Sequence, residues 1–296
     1  MPFLGELSAL LTACLWSCSA LLFTSATKRV GSSYVNSARL VLAALFLVPT
    51  IAVFDLNIAL STSQLVYLSL SGVIGLTLGD TFLFKAFKDI GARISMLMMS
   101  AAPAIAALLA YGMLGETLSV LGIAGIAVTL FGIAIVVLDR SGSRHERTSV
   151  TALGLLYAFL AAIGQGVGLI FAKLAFRESP VNGFVATEVR IVAALALLLP
   201  LLIMTNRLRN PVRVFSTDTK ALLLTSIGAV IGPFLGISFS LIAIEYAKVG
   251  IAATIMATVP IIMLPLVKIV YREKLSMRAI VGAFVAVAGV AMLFLQ

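Results

Sequence analysis

The sequence predicts an all-α membrane protein whose ten transmembrane helices form two inverted five-helix repeats. Three observations predict it. Of the 296 residues, 61% are hydrophobic and only 11% are charged, with a mean hydropathy of +1.15, whereas soluble domains are about half apolar and about a quarter charged. Apolar runs long enough to cross a hydrocarbon core of roughly 30 Å recur along the whole chain. The chain also repeats itself: GETLSVLGIAGIAVTLFGIAIVVL (115–138) lies on REKLSMRAIVGAFVAVAGVAMLFL (272–295). Glu116, Leu118, Ser119, Gly125 and Gly132 then fall on Glu273, Leu275, Ser276, Gly282 and Gly289 at one offset, 273 − 116 = 157.

The first run, 4–26, lacks the basic start of a cleaved signal peptide and is read as a retained helix. Cys14 and Cys18 lie four apart within it, a spacing that disfavours a disulfide, and are expected to pack. The second run, 34–53, carries Arg39. The third, 63–86, carries Gly75, Gly79 and Asp80; the fourth, 91–112, carries Pro103; the fifth is 119–138. DRSGSRHERTSV then interrupts the apolar pattern, so the chain divides into a first five-helix repeat (1–140), a linker (141–150) and a second repeat (151–296). The sixth run, 152–176, carries Gln165, and the seventh, 181–204, carries Glu188 and Arg190. Gly232 and Gly236 lie in the eighth, 218–244, and Pro260 in the ninth, 249–271. The tenth is 276–295.

The duplication extends through the spans. GLTLGDTFLFKA (75–86) lies on GPFLGISFSLIA (232–243), and Pro103 on Pro260, at the offset of 157. ARLVLAALFLVP (38–49) lies on VRIVAALALLLP (189–200) at an offset of 151, which pairs Arg39 with Arg190. Trp16 and Gln165 are equivalent when Gly5 is laid on Gly154. Five spans is an odd number, so the second half enters the membrane from the opposite face. An inverted repeat of this kind places a binding site near the midplane and alternates access by rocking one half on the other.

Charge and ligand chemistry narrow the function. The net charge of +9 is spread between apolar spans, which fits topology and anionic lipid better than nucleic acid. With Arg39 and Arg190 set aside, 16 Lys and Arg fall in loops 1–2, 3–4, 5–6, 7–8 and 9–10 and their margins, against Lys173, Arg177 and Lys248 on the other face. The positive-inside rule puts the crowded face in the cytoplasm and both termini outside. A single His145 and two cysteines supply no metal or haem ligand set, so no cofactor is expected. Intramembrane aspartyl chemistry needs two carboxylates sharing a proton. Beyond Asp80, the other aspartates, Asp55, Asp89, Asp139 and Asp218, fall in loops or at span edges, and a serine protease would need an intramembrane histidine, so no catalytic residues are expected.

LGDTFLFKAFKDIGARISMLMMSAAPAIAALLAYGMLGETLS and EYAKVGIAATIMATVPIIMLPLVKIVYREKLSMRAIVGAFVAVAGVAMLFL resemble the drug/metabolite transporter superfamily, specifically its EamA-type members. The resemblance covers nearly the whole chain. It implies a secondary transporter, often an exporter of amino acids, related metabolites or drugs, and it leaves the substrate open. It also implies cytoplasmic termini, opposite to the charge count, which is kept here. A multi-pass protein of the cell membrane follows, working as monomer or homodimer on a small-molecule substrate, with protons as a candidate coupling ion. A channel-like facilitator or a multidrug exporter is the alternative.

Charged groups inside a bilayer are costly and so mark cavities or partners. Arg39 and Asp80 sit at similar depth and are expected to pair. Position 237, equivalent to Asp80, is Ile237, so Arg190 lacks that partner unless Glu245 reaches it. Glu188 lies about 200° round the helix from Arg190. Two readings of Arg190 stand: it reaches headgroups or carbonyls, or it receives a substrate anion. Trp16, Gln165, Glu188 and Arg190 are the candidate substrate residues. Lys85, Lys173 and Lys268 are expected to snorkel. Gly75, Gly79, Gly232 and Gly236 mark close helix approach, static or moving. Pro103 and Pro260 are read as kinks, fixed or gating.

Overall fold

The computed structural model describes residues 3–114, 117, 119–138, 150–247, 249–272 and 275–294. The linker 141–149, with His145, lies outside these residues. So do Glu116, Leu118 and Glu273 of the repeated stretch, and Arg140, Arg144, Arg147, Lys248 and Lys274 of the charge count.

Helix α1 (Leu4–Val30) meets α2 (Ser32–Val53) across Gly31 alone, whose φ of +94° lies in the left-handed region open to glycine. Ser61 caps α3 (Thr62–Gly72) in a reciprocal box with Gln64. The helix continues through a π-helical segment, Val73–Gly79, into α4 (Asp80–Met99). At Gly91, φ is +77°, so the chain turns inside α4, and there the third predicted span ends and the fourth begins. Helices α5 (Ala102–Leu114) and α6 (Val120–Val137) complete the first half. The second half runs α7 (Ala152–Glu178), α8 (Gly183–Met204) and α9 (Pro211–Thr217), a short helix that the apolar pattern does not announce. Then come α10 (Thr219–Ala229), a second π-helical segment (Val230–Gly236) and α11 (Ile237–Tyr246). Last are α12 (Val249–Met256), α13 (Val259–Val270) and α14 (Met277–Phe294). Among the described residues there is no strand. Eight helical runs are long and apolar enough to cross a membrane; two further apolar helices, Ala102–Gly112 and Met277–Leu293, are shorter.

The halves interlock. Each lends its first helix to the other: α1 packs against α10, α11, α12 and α13, while α7 packs against α3, α4 and α5. Helix α2 packs on α8, and α6 on α14. The last pair explains the repeated text. Ser119 and Ser276 each cap their helix by accepting from the N–H three residues on. A Cβ built on Gly125 would fall 2.6 Å from the Gly289 carbonyl oxygen, and one on Gly282 would fall 2.8 Å from that of Gly132. Only glycine lets these backbones touch, and in lipid such contact is what holds helices together.

Large apolar side chains point outward all round the bundle, Leu45, Val48, Phe131, Val192 and Phe284 among them. In a soluble protein this surface would aggregate; here it is the lipid face. Cys14 and Cys18 are free thiols on this exposed surface, not the packing residues expected from sequence, because they occupy the outer side of α1. The expectation of mid-helix proline kinks also needs correcting. Pro103 and Pro260 sit in the first turns of α5 and α13, where the missing N–H costs no helical bond. The break precedes each proline, at Ser100–Ala101 and at Ala257–Thr258.

Candidate functional site

The two π-helical segments are the same feature twice, since 73 + 157 = 230 and 79 + 157 = 236. Each closes with a bond five residues back, from the Asp80 N–H to the Gly75 carbonyl and from the Ile237 N–H to that of Gly232. Seven residues of π-helix is rare, and such insertions cluster at functional sites because they re-aim the side chains that follow. The side chains that follow here are Asp80 and Ile237, and both face a central cavity.

That cavity has a volume of about 520 Å³ and is lined from both halves at matched positions. At the offset of 157, Leu76, Asp80, Phe84, Met99 and Pro103 are answered by Pro233, Ile237, Leu241, Met256 and Pro260. Arg39 is answered by Arg190, and Trp16 by Gln165.

Three of its polar side chains, Arg39, Asp80 and Gln165, form one network. Arg39 Nη2 donates to Asp80 Oδ2 in a buried ion pair, and Arg39 Nε donates to Asn36 Oδ1 at 3.0 Å. The guanidinium lies over the rings of Phe84, at 4.7 Å, and Phe23, at 5.6 Å, a cation–π arrangement worth about 0.5–2 kcal/mol. Gln165 Nε2 donates to Asp80 Oδ1 at 2.8 Å, so Asp80 joins α2 of one half to α7 of the other. Arg190 stands outside that network. It is 5% exposed, and its Nε has no hydrogen-bond partner among the described residues.

A family model for EamA-like transporters matches residues 3–138 and, again, 152–295. The chain belongs to the EamA-like transporter family. It is therefore a multi-pass membrane protein of a transporter family built from two copies of one unit. A solved crystal structure superposes on this EamA-like transporter with a TM-score of 0.69 at 21% identity, covering 98% of this chain and 96% of that one, a likeness of fold alone. No curated protein matches it at a significant level.

The fold of the EamA-like transporter brings Trp16, Gln165 and Arg190 to the cavity, and with them Arg39, Asp80, Gly232, Pro103 and Pro260. Glu188 does not line it. Two residues from Arg190 on α8, it points elsewhere, and its Oε2 is buried without a partner. Glu245 is exposed and makes no ion pair with Arg190. Of the three lysines expected to snorkel, Lys268 is exposed, Lys85 lies 5.2 and 5.1 Å from the Phe82 and Tyr157 ring centroids, and Lys173 lines the cavity.

The glycines are less symmetric than the sequence. Gly75 and Gly79 meet Gly168 and Gly164 of α7, a second glycine pair legible in GQGVG that the sequence reading passed over. Gly232 and Gly236 instead meet the side chains of Ser19, Phe23 and Trp16. Gly72, also passed over, is the tightest: a Cβ there would overlap the carbonyl oxygen of Arg190.

Proposed function

We propose that this protein is a secondary transporter, working by alternating access, that carries small organic metabolites such as amino acids outward across the cell membrane. Family membership supports transport. The observation that carries the mechanism is the cavity between the halves, built from matched positions yet unequal in reach. Along α7 it extends to Lys173 and Phe176. Their counterparts on α1, at 173 − 149 = 24 and 176 − 149 = 27, are Thr24 and Thr27, which are sealed in packing at 1% and 0% exposure. A two-fold fold with a one-sided cavity has a second arrangement of similar energy, in which the reach is exchanged.

On this reading ten helices span the bilayer, the short α5 and α14 among them, and the two halves insert with opposite topology. Saturable, counter-stimulated uptake of labelled amino acids and organic acids into proteoliposomes tests it. Flux that neither saturates nor responds to substrate on the far side would make the protein a channel. Counterflow indifferent to an imposed pH gradient would remove protons as the coupling ion.

A further inference from the structure

Arg190 is a buried cation in an incomplete setting. Its counterpart Arg39 meets Asp80, but at the position equivalent to Asp80 the second half has Ile237. Asp80 acts electrostatically on Arg190 as well, yet both of its oxygens are committed, Oδ2 to Arg39 and Oδ1 to Gln165. A buried guanidinium with unfilled donors is costly until an oxyanion completes it, and its planar fork suits a carboxylate.

The space for that oxyanion is defined by a missing side chain. A Cβ built on Gly75 would stand 3.5 Å from Arg190 Nη2 and 3.6 Å from Gln165 Oε1. The guanidinium and the amide oxygen therefore face one gap over Gly75, within the π-helical segment. Gln165 Nε2 is occupied by Asp80, which holds Oε1 toward the gap as an acceptor. One side of the gap donates to an anion, and the other accepts from a donor. The cavity walls include the apolar side chains of Leu76 and Leu169 and the indole of Trp16.

We propose that Arg190 and Gln165, separated by the bare backbone of Gly75, form the binding site for the head of the carried metabolite: a carboxylate on Arg190 with an adjacent hydrogen-bond donor on Gln165 Oε1. The ligand class is an α-amino or α-hydroxy acid with an apolar tail. The site rests on the transporter reading, but its test does not depend on flux.

Four probes of one size separate the terms: L-leucine, 2-hydroxy-4-methylpentanoate, 4-methylpentanoate and 4-methylpentanamide. Binding is measured calorimetrically on the detergent-purified full chain at neutral pH. The two α-substituted acids should bind most tightly, with 4-methylpentanoate weaker. The neutral amide should be weaker than 4-methylpentanoate by about tenfold or more, the scale of a charge-assisted hydrogen bond. Arg190→Met should erase the preference for acid over amide. Should that variant fail to fold, Gly75→Ala serves, since its methyl group makes only ordinary contacts yet fills the gap, and it should abolish acid binding at an unchanged melting temperature. Equal binding of acid and amide, no binding of any acid, or acid binding that survives Gly75→Ala overturns the site. If only one of L-leucine and the hydroxy acid binds, that result tells whether the donor on Gln165 Oε1 is an ammonium or a hydroxyl, and either supports the site. An acid that binds through Arg190 but shows no counterflow in proteoliposomes overturns the carrier reading and leaves the site standing.

Discussion

Arg29 Nε donates to both carboxylate oxygens of Asp218, at 3.0 and 2.8 Å, and so ties the end of α1 to the start of α10. The opposite face has a counterpart at equivalent positions, where 29 + 149 = 178 and 218 − 157 = 61: Ser61 Oγ donates to Glu178 Oε2 at 2.7 Å. Each tie joins the first helix of one half to the N-cap residue of a helix in the other, so each must loosen if the halves rock.

The Arg29–Asp218 tie predicts a pH response. Hydrogen bonding from Arg29, and then from the Ala221 N–H, holds the Asp218 carboxyl below its ordinary value. A depressed carboxyl pKa stabilises the folded form fully above the unfolded value of about 3.9 and loses that contribution as pH falls through the folded value. With Cys14→Ser and Cys18→Ser as background, labelling of Phe87→Cys by a charged maleimide at neutral pH should rise several-fold when Asp218→Ala is added, and the parent's loss of stability as pH falls below the ordinary carboxylate value should shrink in Asp218→Ala. Labelling indifferent to Asp218→Ala would show that the tie does not gate that end.

The Arg39–Asp80 pair predicts a rescue. Arg39→Ala should cost about 3–5 kcal/mol, because it leaves a buried carboxylate without its ion-pair partner and with Gln165 as its remaining side-chain hydrogen-bond donor. Adding Asp80→Asn should recover part of that loss in chemical denaturation of the purified protein. Strictly additive losses would mean that the two side chains do not support one another.

Helix contact at the π-helical segments predicts an order of damage. Gly72→Ala forces a methyl group onto the Arg190 backbone, which cannot yield like a flexible side chain, and should destabilise by about 1–3 kcal/mol or more. Gly79→Ala meets the α7 backbone only at 3.4 Å and should be nearly neutral in melting temperature. A bulky residue at Gly79 or Gly236 should slow transport more than it weakens binding, since closest approach is required in one state of the cycle. Equal melting temperatures for Gly72→Ala and Gly79→Ala would refute the order.

Charge predicts orientation. On the basic face the Tyr34 hydroxyl donates to the Arg209 carbonyl at 2.9 Å, and Arg29 pairs with Asp218. If that face is cytoplasmic, a phosphatase fused at the C-terminus should be active outside the cytoplasm and a fluorescent fusion there should be dark. The reverse pattern would invert the orientation while leaving the fold intact.

The sequence alone determined that the chain lives in a bilayer, that it is one unit written twice, and that Arg39 and Arg190 are equivalent. These follow from composition, span length and offset, which are properties of order along the chain. It also set Ile237 against Asp80, and so the unequal fates of the two arginines. Only the tertiary structure decided that α1 and α7 cross into opposite halves, because nothing local records which helix a glycine face will meet. It decided that the helix around Gly75 and Gly232 is π rather than α, which neither VIGLTLG nor the proline of VIGPFLG announces. It turned Glu188 away from the cavity and Cys14 and Cys18 outward. A helix face is fixed by rotation about its own axis, and that rotation is set by the neighbours it packs against.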